Sequence, residues 1–413
     1  MSEVLRRLPP SDDAQSSLAP SPAAYLSLAE VQGGTGPTHR LEHAGADVTG
    51  SVCRRMTRRV ALLSPPLAGF FGKRCQSRCG LDVLAHACVR DEALIEAARR
   101  VDLALAHLPH VAARLRRLGS TVQVIGERQN CSDLPQFAHL PAVEARALDE
   151  RGRGYGGLSP SCAEENLLRL PSDRYVDHRD ICMHELAHAI LDWGLTPSAS
   201  AAAKARLEAL RLSSVALARW DGCYASTNAD EFFAECSMWF QHSRGDYGRV
   251  QPPPKEGAEW LKEHDPEAWQ LVCDIYSGAF PARRRCCCGL VVWLRAADMD
   301  VIRDLHPLPE GAGPRISTDD SAAYATPPRC TLLLLNESSQ QVSLQWVDAQ
   351  GEAHAYGSAP PGTSLGQSTF VGHLWRCVAP DGVVLATVAA CEGLGRLRLP
   401  ARRRSTLRNM LGR

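Results

Sequence analysis

The sequence has no apolar run approaching the ~20 residues that a bilayer-spanning helix needs, so no transmembrane helix is expected. It also has no net charge: 46 Lys and Arg balance 46 Asp and Glu. With the signs well mixed, no global field draws the chain to nucleic acid or to an anionic membrane. The one local exception is the basic stretch from Arg396 to the end, read as a solvated terminus. The N-terminus, Met1-Ser-Glu-Val-Leu-Arg-Arg, lacks an apolar h-region, so no signal peptide is expected. A start at Met56 would look only weakly signal-like, and the paired prolines Pro65-Pro66 count against it. Zinc-finger and disulfide spacings are missing too. The sixteen cysteines include Cys75-x-x-x-Cys79 and Cys286-Cys287-Cys288, but without partners at metal-site spacing. Free thiols, and hence a reducing, cytoplasmic location, are the expectation. The glycine-rich stretch at Arg151–Ser161 lacks the Lys-Ser/Thr ending of a phosphate loop and opens no helix, which argues against phosphate binding.

What the chain does contain is enough length, 413 residues, for two or three domains with their own cores. Residues 1–67, rich in Ser, Pro, Gly and Ala without periodicity, read as a disordered N-terminal segment. From Asp91 to Leu118 apolar residues recur every three or four positions, predicting one helix with Asp91 as N-cap and Gly119 as stop. Thr121-Val-Gln-Val-Ile alternates like a strand. Further helices are predicted over Asp180–Trp193, Ala201–Ala218 and Asn228–His242. Residues 281–328 shift to Arg, Cys, Pro and Gly and read as a linker. Beyond it, over 329–395, short β-rich runs punctuated by Asp-Ala-Gln-Gly, Pro-Pro-Gly-Thr and Pro-Asp-Gly turns predict an all-β sandwich. A basic tail occupies 396–413. The fold class is therefore α+β and multidomain: a mostly helical domain with a small sheet over 68–280, then the sandwich.

Within the second predicted helix stands His184-Glu185-Leu186-Ala187-His188. At ~3.6 residues per turn both histidines fall on one face and can reach a single metal. Glu185 sits beside them, placed to act on a metal-activated water rather than to bind the metal. Chance supplies such a pentapeptide in roughly one chain in a few tens, so a third ligand matters. Glu231 and Glu235, one helical turn apart, are its candidates. The alternative is a solvated Glu pair on the polar face of that helix. His178 and His242 read as ordinary polar histidines.

The pairing of His184-Glu-Leu-Ala-His188 with Tyr224-x6-Glu231-Phe-Phe-Ala-Glu235 resembles the catalytic domain of anthrax lethal factor and its relatives. The resemblance extends to Val89-Arg-Asp-Glu, Asp133-Leu-Pro, Glu164-Glu-Asn-Leu-Leu and Asp173-Arg-Tyr upstream, and to Trp260-Leu-Lys-Glu-His-Asp-Pro downstream, covering about 68–280. It implies a zincin-like, zinc-dependent metallopeptidase with Zn²⁺ held by His184, His188 and Glu231. Glu185 would be the general base, Tyr224 an assisting phenol, and Glu235 a partner of a ligand histidine's far nitrogen. Many relatives are secreted, a departure from the cytoplasmic expectation here.

The C-terminal runs Trp346-Val-Asp-Ala-Gln-Gly-Glu, Tyr356, Pro360-Pro-Gly-Thr and Phe370-Val-Gly-His-Leu-Trp375 resemble the β-domain of the von Hippel–Lindau tumour suppressor. That resemblance implies a pocket for a peptide containing 4-hydroxyproline, lined here by Trp346, Tyr356, Thr369, His373 and Trp375. Thr369 stands where the family has Ser and Phe370 where it has Tyr, which leaves hydroxyproline preference open; sandwich packing is the alternative use of these aromatics. The family's helical ligase-adaptor domain has no counterpart in the short tail. Taken together the expectation is a zinc peptidase acting on a protein or peptide, with a sandwich that binds a protein partner. The rivals are an inactive peptidase fold serving as a binding scaffold, and a zinc hydrolase of non-peptide amides.

Overall fold

Between Val60 and Ala163, six short strands assemble into one mixed sheet, more than the single strand that alternation alone predicted. The structure is a computed structural model and describes residues 58–67, 69–248, 257–280, 283–285, 291–293, 302–308, 329–348, 350–391 and 393–400. The strands are β1 (Val60–Leu67), β2 (Phe71–Gln76), β3 (Asp82–His86), β4 (Thr121–Ile125), β5 (Gly154–Tyr155) and β6 (Ser161–Ala163), in the order β1-β2-β3-β4-β6-β5. The disordered segment expected over 1–67 lies outside the described residues up to 57. Its last part is corrected, since Val60–Leu67 pairs antiparallel with β2. Two parallel pairings, β3 with β4 and β4 with β6, require crossovers, which the helices between them supply.

The helix predicted over 91–118 is two helices, α1 (Asp91–Ala104) and α2 (Pro109–Arg117). Pro109 has no amide to continue α1 and sits at the first turn of α2, where none is needed. Asp91 lies in the first turn of α1 rather than capping it; the cap position is Arg90. Gly119 does end α2, in the left-handed region at φ 75. Short helices α3 (Ala142–Arg151) and α4 (Glu164–Leu167) follow, and then α5 (Ile181–Ala189), α6 (Pro197–Ala216), α7 (Ala229–Phe240), α8 (Ala258–His264) and α9 (Pro266–Tyr276). One apolar core joins Ala93, Leu94, Ala97 and Val101 of α1 to Met183 and Leu186 of α5 and to Phe232, Phe233 and Trp239 of α7. Burial of these large side chains at ~25 cal/mol per Å² is what holds α5 and α7 side by side.

The C-terminal strands are β7 (Arg283–Arg285), β8 (Val291–Trp293), β9 (Ile302–Asp304), β10 (Arg329–Asn336), β11 (Val342–Val347), β12 (Ala353–Ala359), β13 (Ser364–Phe370), β14 (Leu374–Val378), β15 (Val384–Ala389) and β16 (Leu394–Leu399). Strands β13-β10-β16-β9 form one sheet and β12-β11-β14-β15 the other. Leu332, Leu334, Leu344, Trp375, Cys377, Val388 and Leu397 fill the space between them. Two expectations are corrected here. The linker read over 281–328 contributes a hairpin, β7 with β8, and an edge strand, β9, which pairs parallel with β16. The basic tail read from 396 begins inside β16, where Arg396 pairs with Asp304 and Arg398 with Glu337; these side chains are ion-paired strand positions. The remainder of that tail lies outside the described residues.

The sandwich is docked on the helical body. Leu118 and Leu158 of the body form one buried cluster with Leu333 and Leu394 of the sandwich. Ser364 donates through Oγ to the Gly119 carbonyl at 3.0 Å, and Ser358 donates to the Pro135 carbonyl at 3.3 Å. A Cβ on Gly119 would stand 2.7 Å from that Ser364 Oγ, so the position takes only glycine on two counts. Among the described cysteines none forms a disulfide, and Cys286–Cys288 lie outside the described residues. No described helix is long and apolar enough to cross a membrane.

Candidate metal centre

Helix α5 begins at a polar clamp that fixes its axis and rotation. Asp180 caps it, accepting from the Met183 amide at 3.1 Å, and is itself paired with the half-buried Arg100. Asn166 accepts from the Ile181 amide at 3.0 Å and donates to the Arg179 carbonyl and to Asp173. Side-chain oxygens at a helix start satisfy amides that have no partner inside the helix. Asn166 is held in turn because its neighbours are buried and bonded: Glu164 accepts from the Arg90 and Glu127 amides, and Glu165 pairs with Arg153. These are the Val89-Arg-Asp-Glu, Glu164-Glu-Asn and Asp173-Arg-Tyr blocks of the sequence, gathered around one helix end.

After Ala189 the helix widens into a π-helical turn, Ile190–Gly194, closed by the Leu195 amide on the Ile190 carbonyl at 2.9 Å. Facing α5, Asn228 caps α7 by accepting from the Asp230 and Glu231 amides. Lys204 of α6 bridges Asp192 of the π turn, at 2.8 Å, to Asp230 of α7, at 3.0 Å. The two elements that carry the candidate ligands are thus tied at their edges as well as through the core.

His184, His188 and Glu231 converge. Each offers an atom within 4.8 Å of the others. The Nε2 atoms of His184 and His188 are 3.3 Å apart, and Glu231 Oε2 is 3.0 Å from the first and 3.3 Å from the second. Glu231 Oε2 is sealed from solvent and accepts no properly directed hydrogen bond. A tetrahedral ion with ligands at ~2.0–2.1 Å has ligand-to-ligand edges of roughly 3.3 Å. The triangle has that size, so the residues fit a metal ion. Two imidazoles and a carboxylate suit zinc.

The surroundings arrange each group. Glu235 places Oε1 3.3 Å from His184 Nδ1 while Oε2 accepts from the Asp246 amide at 2.6 Å. A carboxylate beside Nδ1 favours the tautomer protonated there, leaving the Nε2 lone pair for the metal. Tyr224 donates its phenol hydrogen to Glu231 Oε1 at 3.1 Å and lies nearly parallel to the His184 ring. Its own amide donates to Asp246 at 2.8 Å. Burial opposes a charge on His184, but the carboxylates of Glu231 and Glu235 outweigh it and hold its pKa well above the usual histidine range. Burial works to raise the Glu231 carboxyl, yet the imidazoles of His188 and His184 keep it well below the carboxylate range. Glu185 is pushed up by burial, against the pull of both imidazoles.

Sequence reasoning missed three parts of this site. Asp246 joins Glu235 to Tyr224, and Lys204 joins the π turn to α7. The third is β5. A Cβ on Gly154 would stand 2.5 Å from Ile181 Cγ2, and one on Gly156 3.3 Å from Glu185 Oε2 and 3.1 Å from His188 Cβ. The glycine-rich run therefore serves close approach of an edge strand to α5. His178 and His242 stay outside the converging group, each in a left-handed backbone conformation, φ 62 and φ 61. A second trio, Asp348, Glu352 and His354, spans the β11–β12 turn and the start of β12, with Glu352 exposed and the other two half-buried. There Asp348 already accepts from the Gln350 and Glu352 amides and faces His354 at 2.8 Å.

In the sandwich, the five residues singled out from the sequence form one chain of contacts. Trp346 and Trp375 are direct cross-strand partners on β11 and β14, which puts both on one sheet face. Trp346 lies against His373, with ring centroids 5.5 Å apart. His373 Nδ1 is 3.2 Å from Thr369 Oγ1, which accepts from Trp375 Nε1 at 3.1 Å. Tyr356 meets Trp375 edge-on at 5.0 Å. Trp375 and Thr369 are buried, while Trp346, Tyr356 and His373 are partly exposed. The Trp346 indole N–H is enclosed with no acceptor.

Residues 324–381 match the family model of the VHL beta domain. The match covers β10 to β14 and leaves β15 and β16 beyond it. No curated protein matches the chain. The C-terminal sandwich is thus similar to the VHL beta domain over these residues.

Proposed function

We propose that the protein is a zinc-dependent metallopeptidase whose sandwich binds a peptide segment. The observation that carries the first part is the 3.0–3.3 Å triangle of His184, His188 and Glu231 around an oxygen with no directed hydrogen bond. Zinc held there would lower the pKa of a coordinated water toward neutrality and polarise a substrate carbonyl. The roles of the side chains follow from position. Glu185 sits between the two histidines on α5 with a carboxyl lifted by burial, which suits a group that takes a proton during attack and returns it to the leaving amine. Tyr224, a neutral phenol beside the ligand triangle, is placed to donate to the carbonyl oxygen as charge develops. Glu235 keeps His184 in its ligand tautomer. For the sandwich, aromatic walls at Trp346, Tyr356 and Trp375 suit a pyrrolidine ring, and Thr369 with His373 suits a hydroxyl on it.

Zinc content and peptidase activity of wild type and Glu185→Gln test the reading together. Zinc is expected near one equivalent in both, with turnover reduced about 10²–10⁴-fold in the variant, the usual worth of a general base. A wild type that takes up no zinc would sink it.

A further inference from the structure

Strand β10 carries an unbroken leucine run, Leu332 to Leu335, where a sandwich strand with one wet face would alternate. Leu332 and Leu334 point into the sandwich core. Leu333 points the other way, with Leu335 and with Leu394 of β16, and is nonetheless fully buried. The helical body covers this outer face, with Leu118 at the end of α2, Leu158, and Trp193. Trp193 belongs to the π turn that continues α5 beyond His188. On β13, in register with Leu333 and Leu335, stand Gly366 and Ser364. Ser364 donates to the Gly119 carbonyl. Gly366 admits the Trp193 indole, since a Cβ there would stand 2.4 Å from its Cη2. The π turn has two other supports, both on α2. Arg114 Nε donates to the Trp193 carbonyl at 2.7 Å, and a Cβ on Gly194 would meet Val111 Cγ1 at 2.5 Å.

We propose that Trp193 is a positioning residue through which the docked sandwich holds the metal-binding helix, so that metal affinity depends on docking. This rests on the metal site of the reading above, though not on the reaction assigned to it. A π turn is a rare form of helix, so what holds this one matters. His188 stands little more than one turn before Trp193. Asp192, next to Trp193, is bonded through Lys204 to Asp230, the neighbour of Glu231. The indole therefore stands at the end of two lines, one along the helix to a ligand histidine and one across the lysine to the ligand carboxylate. A metal site needs its ligand distances held within about 0.2 Å. The triangle edges of 3.0–3.3 Å meet that demand only while α5 keeps its place against α7. A ring displaced from Gly366 leaves the π turn without support on its outer side, and the His188 to Glu231 edge is the one nearest to it. By linkage, docking strengthens metal binding as much as metal strengthens docking. The sandwich is then part of the frame of the metal centre, a role separate from any ligand it binds itself.

The experiment is made on the full chain, and Gly366→Ala is the decisive variant because it lies in the sandwich and changes nothing on α5. Its added methyl pushes the indole away. Zinc affinity, read by chelator competition, is expected to weaken about 2–30-fold, the range for substitutions along a coupled line of contacts. Cobalt(II) loaded in place of zinc should show altered visible bands, because those follow ligand geometry. Trp193→Ala, made from the other side of the contact, should do the same, and Trp193→Phe should recover most of the loss. Leu332→Ala is the control. It opens the sandwich core on the opposite face of β10 and should leave affinity and bands at wild-type values. Wild-type affinity and bands in both Gly366→Ala and Trp193→Ala overturn the positioning role and leave the metal centre standing. So does a loss in Leu332→Ala as large as in Gly366→Ala, which marks general destabilisation. A wild type that takes up neither zinc nor cobalt overturns both readings.

Discussion

A buried carboxylate is held in place when one of its oxygens accepts a short hydrogen bond from a backbone amide. Glu235 is in that position, between His184 Nδ1 and the Asp246 amide. Its effect on a metal would act through His184 alone. Replacing it by glutamine keeps size and lets an amide N–H face Nδ1, which disfavours the tautomer the ligand needs. Zinc affinity of Glu235→Gln, read by chelator competition, is expected to fall about 10–100-fold, with the helix content unchanged. Unaltered affinity would show that the tautomer is set elsewhere. The four-residue spacings of His184 to His188 and of Glu231 to Glu235 were legible in the sequence, because a helix turns spacing into a shared face. Asp246 was not. It sits in an irregular segment eleven residues past Glu235, where no periodicity says which way the chain returns.

At the scale of elements, legibility followed length. Helices α5, α6 and α7 were visible because apolar residues recur along them at helical spacing. The strands β5 and β6 have two and three residues, too few for alternation to register. Their glycines read as a loop for want of a neighbour to press against. That neighbour is α5. Gly154 is wedged between Ile181 Cγ2, the Ser161 carbonyl and Glu185 Cγ, at 2.5, 2.8 and 3.2 Å from a Cβ. None of these is a flexible side-chain tip free to swing away. Gly154→Ala should therefore force β5 off the sheet or push α5 aside, at about 1–3 kcal/mol. Urea unfolding would show the lower midpoint, and zinc competition would show weaker binding as Glu185 and its helix shift. A variant of wild-type stability would mean that the strand lies farther from α5 than these distances state.

For the whole molecule, the question is whether body and sandwich stand or fall together. Composition marked a boundary near 281–328, most of which lies outside the described residues. It could not show that β9 crosses back to pair with β16, nor that the sandwich rests on the body, since contacts between distant leucines leave no local pattern. Leu118, Leu158, Leu333 and Leu394 are each at most 5% exposed, so the contact between the parts is as dry as a core. Dry apolar contacts couple unfolding, because separating the parts exposes that surface before either has melted. Wild type is accordingly expected to unfold in urea through one transition, coincident by far-UV circular dichroism and tryptophan fluorescence. Leu333→Ala removes buried methyl groups from the shared cluster, at about 2–5 kcal/mol. Its loss falls on the contact, so the single transition should move to lower urea and split into two, with the sandwich tryptophans Trp346 and Trp375 reporting one of them. Two resolved transitions already present in wild type would mean that the docked arrangement contributes too little to bind the halves into one cooperative unit.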